Sequence, residues 1–474
     1  MELPATFAIN AWTGEEAPES APLAQTLKWG LNRHASGASA KEKTLAPPPP
    51  ADLRDWRHAN VGWGLVLPEN EALSEAERAT AADAPEPIQN LVADRKPAPV
   101  LRYRADLTDG FLRRYYPDRK LQDLSVAGST PGVGPGCLPR YLLLLGGPDV
   151  IPWRFQYSLN MSCFTGRLSL TGEALERYVQ ALMTDWKGAA CDPRAPLVWA
   201  VNHGASDITA LMEAAIARRL CTAYDTDPQN DLSNRKAIFG AAATVAGFVD
   251  AVSTSVPALI VTTSHGMTGP LNNPTQLVSQ LGFLVDVQRA LLAPSALLNA
   301  WQPQGAIWYA HACCSAGSDA PSTFVGLLAE SSSVATVLKK VAESSGARVA
   351  SLPEALLGAE RPLRAFVGHV EPTFDWTLRN PETGQPLVHA LNYALYNSLY
   401  QQDRRTPIAF ALARLYAEAG EFLAQWLAAL DAVNANQPKA RERALYRQLV
   451  AMDRQHAVIL GDPTVSLPLF AEVN

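Results

Sequence analysis

The chain has 474 residues, and 40 lysines and arginines against 46 aspartates and glutamates give a net charge of −6. Proteins that bind nucleic acid through phosphate contacts usually have a basic surplus, so the composition argues against such a function. Hydrophobic residues make up 47% and charged residues 18%, which suits a large core and excludes global disorder. Six cysteines are too few for a disulfide scaffold, so we expect a reducing compartment.

The beginning of the sequence has no recognisable targeting segment. Its first 20 residues, MELPATFAINAWTGEEAPES, contain neither a basic region nor a sustained apolar run, which argues against a secretory signal. The most apolar stretches, such as 141–145 and 408–416, are far shorter than a membrane span. We therefore expect a cytoplasmic protein that makes no contact with membranes.

Residues 1–137 contain several loose, proline-rich stretches. Four consecutive prolines stand at 47–50, residues 73–99 are rich in Ala, Glu and Pro, and residues 128–139 read GSTPGVGPGCLP. The aromatic and basic run 111–119 is a candidate nucleic-acid or partner patch, but the acidic chain and the single occurrence favour a solvated helix face. We expect 1–137 to be a Pro-rich irregular region that serves regulation or docking.

From residue 138 onward, short apolar runs alternate with helical windows. The predicted strands are 141–145, 197–201, 258–263, 306–311 and 365–370. The predicted helices are 172–186, 208–224, 236–252, 323–332 and 387–400. Near-continuous apolar strands between helices indicate an α/β fold with a mainly parallel sheet flanked by helices. In such sheets, reactive groups gather at the carboxyl ends of the strands.

Two of these strand ends carry reactive side chains. The run PALIVTTSHGMTG ends in His265 and Gly266, and the run GAIWYAHACCSAGS ends in Cys313 and Cys314. The separation of 313 − 265 = 48 residues is about one βαβ crossover, so the strands can be neighbours with both tips on one edge. A thiol is a good nucleophile, and an imidazole can protonate a leaving amine. The backbone N–H groups of Gly266 and Cys313 can form an oxyanion hole.

Other histidines and cysteines have simpler interpretations. His203 also precedes a glycine after an apolar run, but Asp207 predicts a helix cap there, which favours a structural role. A zinc site at 311–314 would need ligands from elsewhere, and no paired CxxC motif is present, so we expect no metal and no cofactor. The remaining cysteines lack a reactive context and are interpreted as structural: Cys137, Cys163, Cys191 and Cys221.

Taken together, the two strand-end motifs resemble those of the caspase-like (clan CD) cysteine peptidases, above all the bacterial gingipain-type and CHAT-like proteins. Three further stretches are similar to core segments of that group: YLLLLGGPDVIPWRFQY at 141–157, the strand 365–376 around Gly368 and His369, and AVILGDPTVSLP at 457–468. The resemblance covers roughly 138–474. It implies a caspase-like sheet in two subdomains, 138–250 and a catalytic 251–474.

Carried over to these positions, the resemblance implies that His265 is the catalytic imidazole and Cys313 the nucleophile, with Gly266 and Cys313 as oxyanion donors. Two features depart from the family pattern. Ala316 stands where glycine or serine is usual, and the double cysteine leaves Cys314 as an alternative nucleophile. We prefer Cys313, because Ala312 supplies the usual Ala-Cys pair.

The resulting hypothesis is a cysteine endopeptidase that cleaves a specific protein through a thioester acyl-enzyme. The substrate is expected to bind as an extended strand, and the family suggests regulated cleavage in bacterial defence or cell death. The rival hypothesis is a catalytically inactive caspase-like scaffold that binds protein partners. The N-terminal region is the candidate contact for a regulatory partner in either case.

The residue two before the nucleophile lines the primary specificity pocket in the resembled family, and here it is His311. Histidine offers no fixed negative charge, so we expect a small, polar or acidic residue rather than Arg or Lys before the scissile bond. Asp319, six residues after the nucleophile (319 − 313 = 6), is the residue that can supply the missing charge.

Overall fold

The computed structural model describes residues 7–20, 51–107, 109–118, 120–227, 232, 234–380, 382–400 and 404–470. In chain order its strands are β1 Phe7–Ala8, β2 Ala11–Trp12, β3 Glu19–Ser20, β4 Trp63–Pro68, β5 Val100–Tyr103, β6 Phe111–Tyr115, β7 Leu121–Ser125, β8 Tyr141–Leu145, β9 Phe164–Leu168, β10 Leu197–Ala200, β11 Lys236–Ile238, β12 Leu259–Thr263, β13 His265–Met267, β14 Leu284–Val285, β15 Ile307–His311, β16 Gly317–Ser318, β17 Arg348–Val349, β18 Ala365–His369 and β19 Ala457–Gly461.

The helices alternate with these strands through most of the chain. They are α1 Glu75–Arg78, α2 Glu86–Asp94, α3 Trp153–Asn160, α4 Gly172–Met183, α5 Ile208–Met212, α6 Arg218–Thr226, α7 Val245–Ser255, α8 Pro274–Gln280, α9 Pro294–Ala300, α10 Ser333–Ser345, α11 Ser351–Leu357, α12 His389–Tyr393, α13 Ile408–Ala411, α14 Ala413–Asn434 and α15 Ala440–Gln455. Shorter π-helical and 3₁₀ turns lie at Glu213–Ala217, Ala394–Ser398, Gly240–Ala242 and Asp375–Thr377.

Twelve strands form the main sheet, in the order β11-β10-β12-β15-β18-β19-β9-β8-β4-β5-β6-β7. Neighbours are parallel from β11 to β18 and again from β19 to β5, whereas β18 and β19 are antiparallel. The two halves of the sheet therefore direct their carboxyl ends to opposite edges. Every residue of β12, β15 and β18 is buried, as expected for strands covered on both faces. The prediction of an α/β fold with a mainly parallel sheet and flanking helices is confirmed.

Individual elements agree well with the sequence for strands and less well for helices. The five predicted strands correspond to β8, β10, β12, β15 and β18. The predicted helix 236–252 is wrong at its start: Lys236–Ile238 is a strand, and α7 begins only after Thr244, whose side chain accepts the Gly247 N–H. The predicted helix 323–332 is also wrong. Those residues form turns, and α10 begins after Ser332, which caps it by accepting the Ala335 N–H.

The N-terminal region is less irregular than its composition predicts. Residues 51–137 contribute β4 to β7 to the main sheet, so the expectation of an irregular region does not hold there. The run 111–119 is wrong as a helix face, because Phe111–Tyr115 is a strand whose Arg113 pairs with Asp123 across a hairpin. The four prolines at 47–50 lie outside the described residues.

None of the helices in the described part of the chain is both long and apolar enough to cross a membrane. All six cysteines are free, and Cys163, Cys191 and Cys221 are buried without a disulfide partner. Their structural interpretation therefore fits their surroundings.

Candidate functional site

The ends of β12 and β15 lie side by side, as the sequence spacing predicts. Thr263 pairs with His311 in the parallel ladder, and the Ser264 N–H donates to the His311 carbonyl at 3.3 Å. The chain then places the backbone of Gly266 directly against Cys313. A β-carbon at Gly266 would lie 1.9 Å from the Cys313 carbonyl oxygen, so only glycine allows this approach.

The imidazole of His265 is fully buried and bonded to a carboxylate. Its Nε2 lies 2.9 Å from Oδ2 of Asp207, and the ring's Nδ1 has no hydrogen-bond partner among the described residues. Burial by itself would raise the pKa of Asp207, but hydrogen bonds from His265 and Thr209 outweigh it and hold that pKa well below its usual range. An ionised Asp207 accepts a hydrogen bond from Nε2 of His265, which fixes the orientation of the ring and leaves Nδ1 as the nitrogen without a partner among the described residues.

Asp207 has two functions in this structure. It caps α5, as predicted, by accepting the Thr209 N–H at 2.8 Å. Its second carboxylate oxygen orients His265, which the sequence interpretation missed. A Ser-Asp pair before a helix is the usual signal of a cap alone, and nothing local indicates a histidine 58 residues further along the chain.

His203, which the sequence interpretation set aside, also lies at the site. Its ring stacks on that of His265, with the centroids 5.4 Å apart and the planes inclined by 9°. Its Nε2 lies 3.0 Å from the Asp286 carbonyl, so this nitrogen donates and carries the proton. Burial lowers the pKa of His203, which keeps the ring neutral beside His265.

Cys313 is fully buried, and its thiol donates to the side-chain oxygen of Asn10 rather than to His265. Burial raises the pKa of this thiol well above its usual value, and the neighbouring Cys314 raises it further. The thiol is therefore neutral while Asn10 covers it. Asn10 was not among the residues that the sequence singled out.

Cys314 has different surroundings. Its backbone lies in the left-handed region with a φ of 53°, and its N–H donates to the Glu371 carbonyl at 3.1 Å. Burial raises the pKa of its thiol, and the charge acting on it is that of Glu371. The two adjacent thiols thus face different groups, and the one that contacts Asn10 is Cys313.

The two predicted pocket residues, His311 and Asp319, have different partners in the structure. His311 is buried beside Asn10, whose amide donates to its carbonyl at 3.4 Å, and burial lowers the His311 pKa to about 3. Asp319 accepts the N–H of Ala320, and the cationic charges acting on it are those of Arg154 and Arg167. The carboxylate whose charge acts on Cys313 is instead Asp453.

Glu371, whose backbone carbonyl accepts the Cys314 N–H, has a buried carboxyl group that should make the stability of the fold depend on pH. Burial raises the pKa of Glu371 to about 7, although Thr323 donates to it through its N–H at 3.0 Å and its hydroxyl at 2.6 Å. The folded chain therefore keeps a proton that the unfolded chain loses near pH 4.5, so stability falls as the pH rises to about 7.

We expect Glu371→Gln to remove this loss. The unfolding free energy of the variant relative to wild type should increase by about 3 kcal/mol between pH 4.5 and 7.5. Chemical denaturation over that range measures it, with the exposed Glu330→Gln as the control that stays flat. A constant difference between Glu371→Gln and wild type would show that Glu371 is ionised in the folded chain.

Among the described residues, one group of side chains lies close enough together to hold a metal ion. His203, Asp207 and His265 each offer a ligand atom, and these atoms lie within 4.8 Å of one another. A metal there would draw on the same side chains that now hold His265 in its present orientation.

Comparisons with known proteins give no family assignment. No family model matches the sequence, and the search of curated proteins found no match. The function must therefore be argued from the site itself.

Proposed function

We propose that the protein is a cysteine endopeptidase in which Cys313 is the nucleophile, His265 the proton carrier and Asp207 the residue that orients the imidazole. The observation that carries the proposal is the pairing of the β12 and β15 ends, which sets Gly266 against Cys313 beside the His265–Asp207 pair. A nucleophile, a base and a group that orients the base are the parts that acyl transfer requires.

The reaction follows from these positions. The Cys313 thiol transfers its proton to His265 as the sulfur attacks the peptide carbonyl carbon, and the developing oxyanion takes a hydrogen bond from the Gly266 N–H. The peptide C–N bond breaks as His265 gives a proton to the leaving amine, which leaves a thioester on Cys313. Water then attacks the thioester and loses a proton to His265. The C–S bond breaks as His265 returns that proton to the Cys313 sulfur, which releases the acid and restores the thiol.

A protein substrate would bind as an extended strand between the two rows of backbone groups that border Cys313. One row is β13 with Thr268, and the other is the segment after β18 at Thr373 and Phe374. Strand addition supplies affinity through the main chain and leaves specificity to the side-chain pockets.

The rival proposal, an inactive scaffold that binds partners, is favoured by one specific observation. Cys313 has no exposed surface, and a buried thiol with a raised pKa is unreactive as it stands. The two proposals differ in whether His265 accelerates a reaction at Cys313.

Prolonged labelling with a peptidyl acyloxymethyl ketone tests this difference. We expect an adduct on Cys313, located by peptide mass mapping, that is absent in Cys313→Ala and strongly reduced in His265→Ala. EDTA is present throughout, so that a metal at His203, Asp207 and His265 does not mask the imidazole. Equal labelling rates in wild type and His265→Ala would favour the scaffold. If labelling depends on His265, the substrate is identified by comparing the new protein N-termini in cells that carry wild type with those in cells that carry Cys313→Ala.

A further inference from the structure

The segment Ile9–Thr13, called the strap here, lies between the two rows of backbone groups that border Cys313. On one side β2 runs parallel to β13, and the Thr268 N–H donates to the Trp12 carbonyl at 2.9 Å. On the other side Ile9 forms an antiparallel bridge with Phe374, and the Asn10 N–H donates to the Thr373 carbonyl at 3.4 Å. An extended peptide substrate would have to use these same backbone groups.

Asn10 is the strap residue that contacts both the Cys313 thiol and the Gly266 N–H. Its carbonyl accepts the Gly266 N–H at 2.7 Å, and Gly266 is one of the two predicted oxyanion donors. Its side-chain oxygen accepts the Cys313 thiol, and its side-chain nitrogen donates to the His311 carbonyl at 3.4 Å. In a bound substrate, the carbonyl of the residue before the scissile bond accepts a hydrogen bond from the oxyanion donors beside the nucleophile. The Asn10 carbonyl accepts such a bond from Gly266, so Asn10 is in the position of that residue.

Trp12 covers the other half of the site. Its ring centroid lies 6.1 Å from that of His265 and 6.5 Å from that of His203. The guanidinium carbon of Arg289 lies 4.1 Å from the centroid of the same indole ring. Ile9, Asn10 and Ala11 have no exposed surface, and Trp12 retains only 7%. The strap therefore excludes water and any second peptide from both the thiol and the imidazole.

We infer that the strap occupies the substrate cleft as an intramolecular inhibitor, with Asn10 in the position of the residue before the scissile bond, and that the cleft selects a neutral carboxamide side chain there. This inference rests on the proposed protease function for its meaning, but the occupancy of the cleft can be measured without any catalysis.

The groups around the Asn10 side chain explain the preference. While the strap is bound, the Cys313 thiol donates to the Asn10 side-chain oxygen and the His311 carbonyl accepts from its nitrogen, so both ends of the amide are paired. During turnover the His311 carbonyl remains as the acceptor for a carboxamide nitrogen. The His311 ring is neutral and offers no charge to a substrate carboxylate or cation. Asp453 is a buried carboxyl group whose charge acts on Cys313, and it accepts the Phe374 N–H at 3.5 Å.

The alkylation rate of Cys313 by iodoacetamide tests whether the strap covers the thiol. We compare the full-length wild type with Asn10→Asp, which keeps the shape of the side chain but buries a charge, and with Trp12→Ala. Both variants should react about tenfold faster or more, because each favours the state in which the strap has left. The matched control is Glu15→Gln, an exposed position two residues after the strap, which should react as wild type does.

A peptide added in trans keeps the test independent of folding defects in the variants. The octapeptide FAINAWTG, residues 7–14, should slow the alkylation of Trp12→Ala, whereas the same peptide with lysine in place of asparagine should not. Unchanged alkylation in both strap variants, with wild-type circular dichroism and no protection by the octapeptide, would overturn the inference.

Turnover of a peptide library by Trp12→Ala separates the inference from the proposed function. Preferred cleavage after Asn supports both. Preferred cleavage after Arg or Lys that is lost on Asp453→Asn overturns the carboxamide assignment. Faster alkylation and peptide protection without any turnover would overturn the protease function while the strap assignment stands.

Discussion

Replacement of Cys313 by alanine is expected to reduce peptide cleavage to the uncatalysed background, whereas Cys314→Ser should retain most of it. The reason is the different surroundings of the two thiols. Cys313 faces Asn10 at the oxyanion donor Gly266, while the backbone of Cys314 has turned into the left-handed region and binds Glu371. A nucleophile must reach the carbonyl carbon beside the oxyanion donors, and only Cys313 is next to them.

The measurement is kcat/KM for cleavage of a peptide with asparagine before the scissile bond. Each cysteine change is introduced into a strap variant, in which the cleft is open. Thermal unfolding of each variant shows whether the fold is kept. An active Cys313→Ser together with an inactive Cys314→Ser would move the nucleophile one residue along the chain. It would also remove the interpretation of Asn10 as a substrate-like residue.

Replacement of His265 by alanine should lower kcat by about 10²–10⁴, which is the usual contribution of general acid–base catalysis. Asp207→Asn is expected to lower kcat by a comparable factor, because an amide cannot hold the imidazole in the same tautomer as a carboxylate does. Asparagine caps helices as well as aspartate, so the α5 cap at Thr209 should survive the change. The effect of Asp207→Asn can therefore be attributed to His265.

Further variants separate the effect of Asp207 on His265 from its effect on the helix cap. His389→Ala, at an exposed histidine of α12, is the matched control and should keep the wild-type kcat. Asp207→Ala should lose the cap as well as the orientation of the ring, so it should lower the unfolding temperature more than Asp207→Asn does. If Asp207→Asn keeps the wild-type kcat while His265→Ala loses it, Asp207 is a cap and nothing more.

Five strands of the main sheet and the reactive ends of two of them could be predicted from the sequence, because each of these strands is a short apolar run, which is a local property. The pairing of the β12 and β15 tips followed from the length of one crossover. Helix starts were harder to predict. The cap Thr244 lies well inside the predicted helix 236–252, and the cap Ser332 is the last residue of the predicted helix 323–332, so that helix begins only where the prediction ended. Composition also hid β4 to β7, since proline-rich linkers separate strands that the sheet then brings together.

The sequence by itself therefore determined the α/β class, the edge of the sheet where chemistry is expected, and His265, Gly266 and Cys313 as its candidates. The tertiary structure alone decided what covers and orients them. Asn10 meets Cys313 across 303 residues of chain, and Asp207 meets His265 across 58. Contacts of that separation leave no periodic trace in a sequence, because they depend on where the whole fold carries each segment.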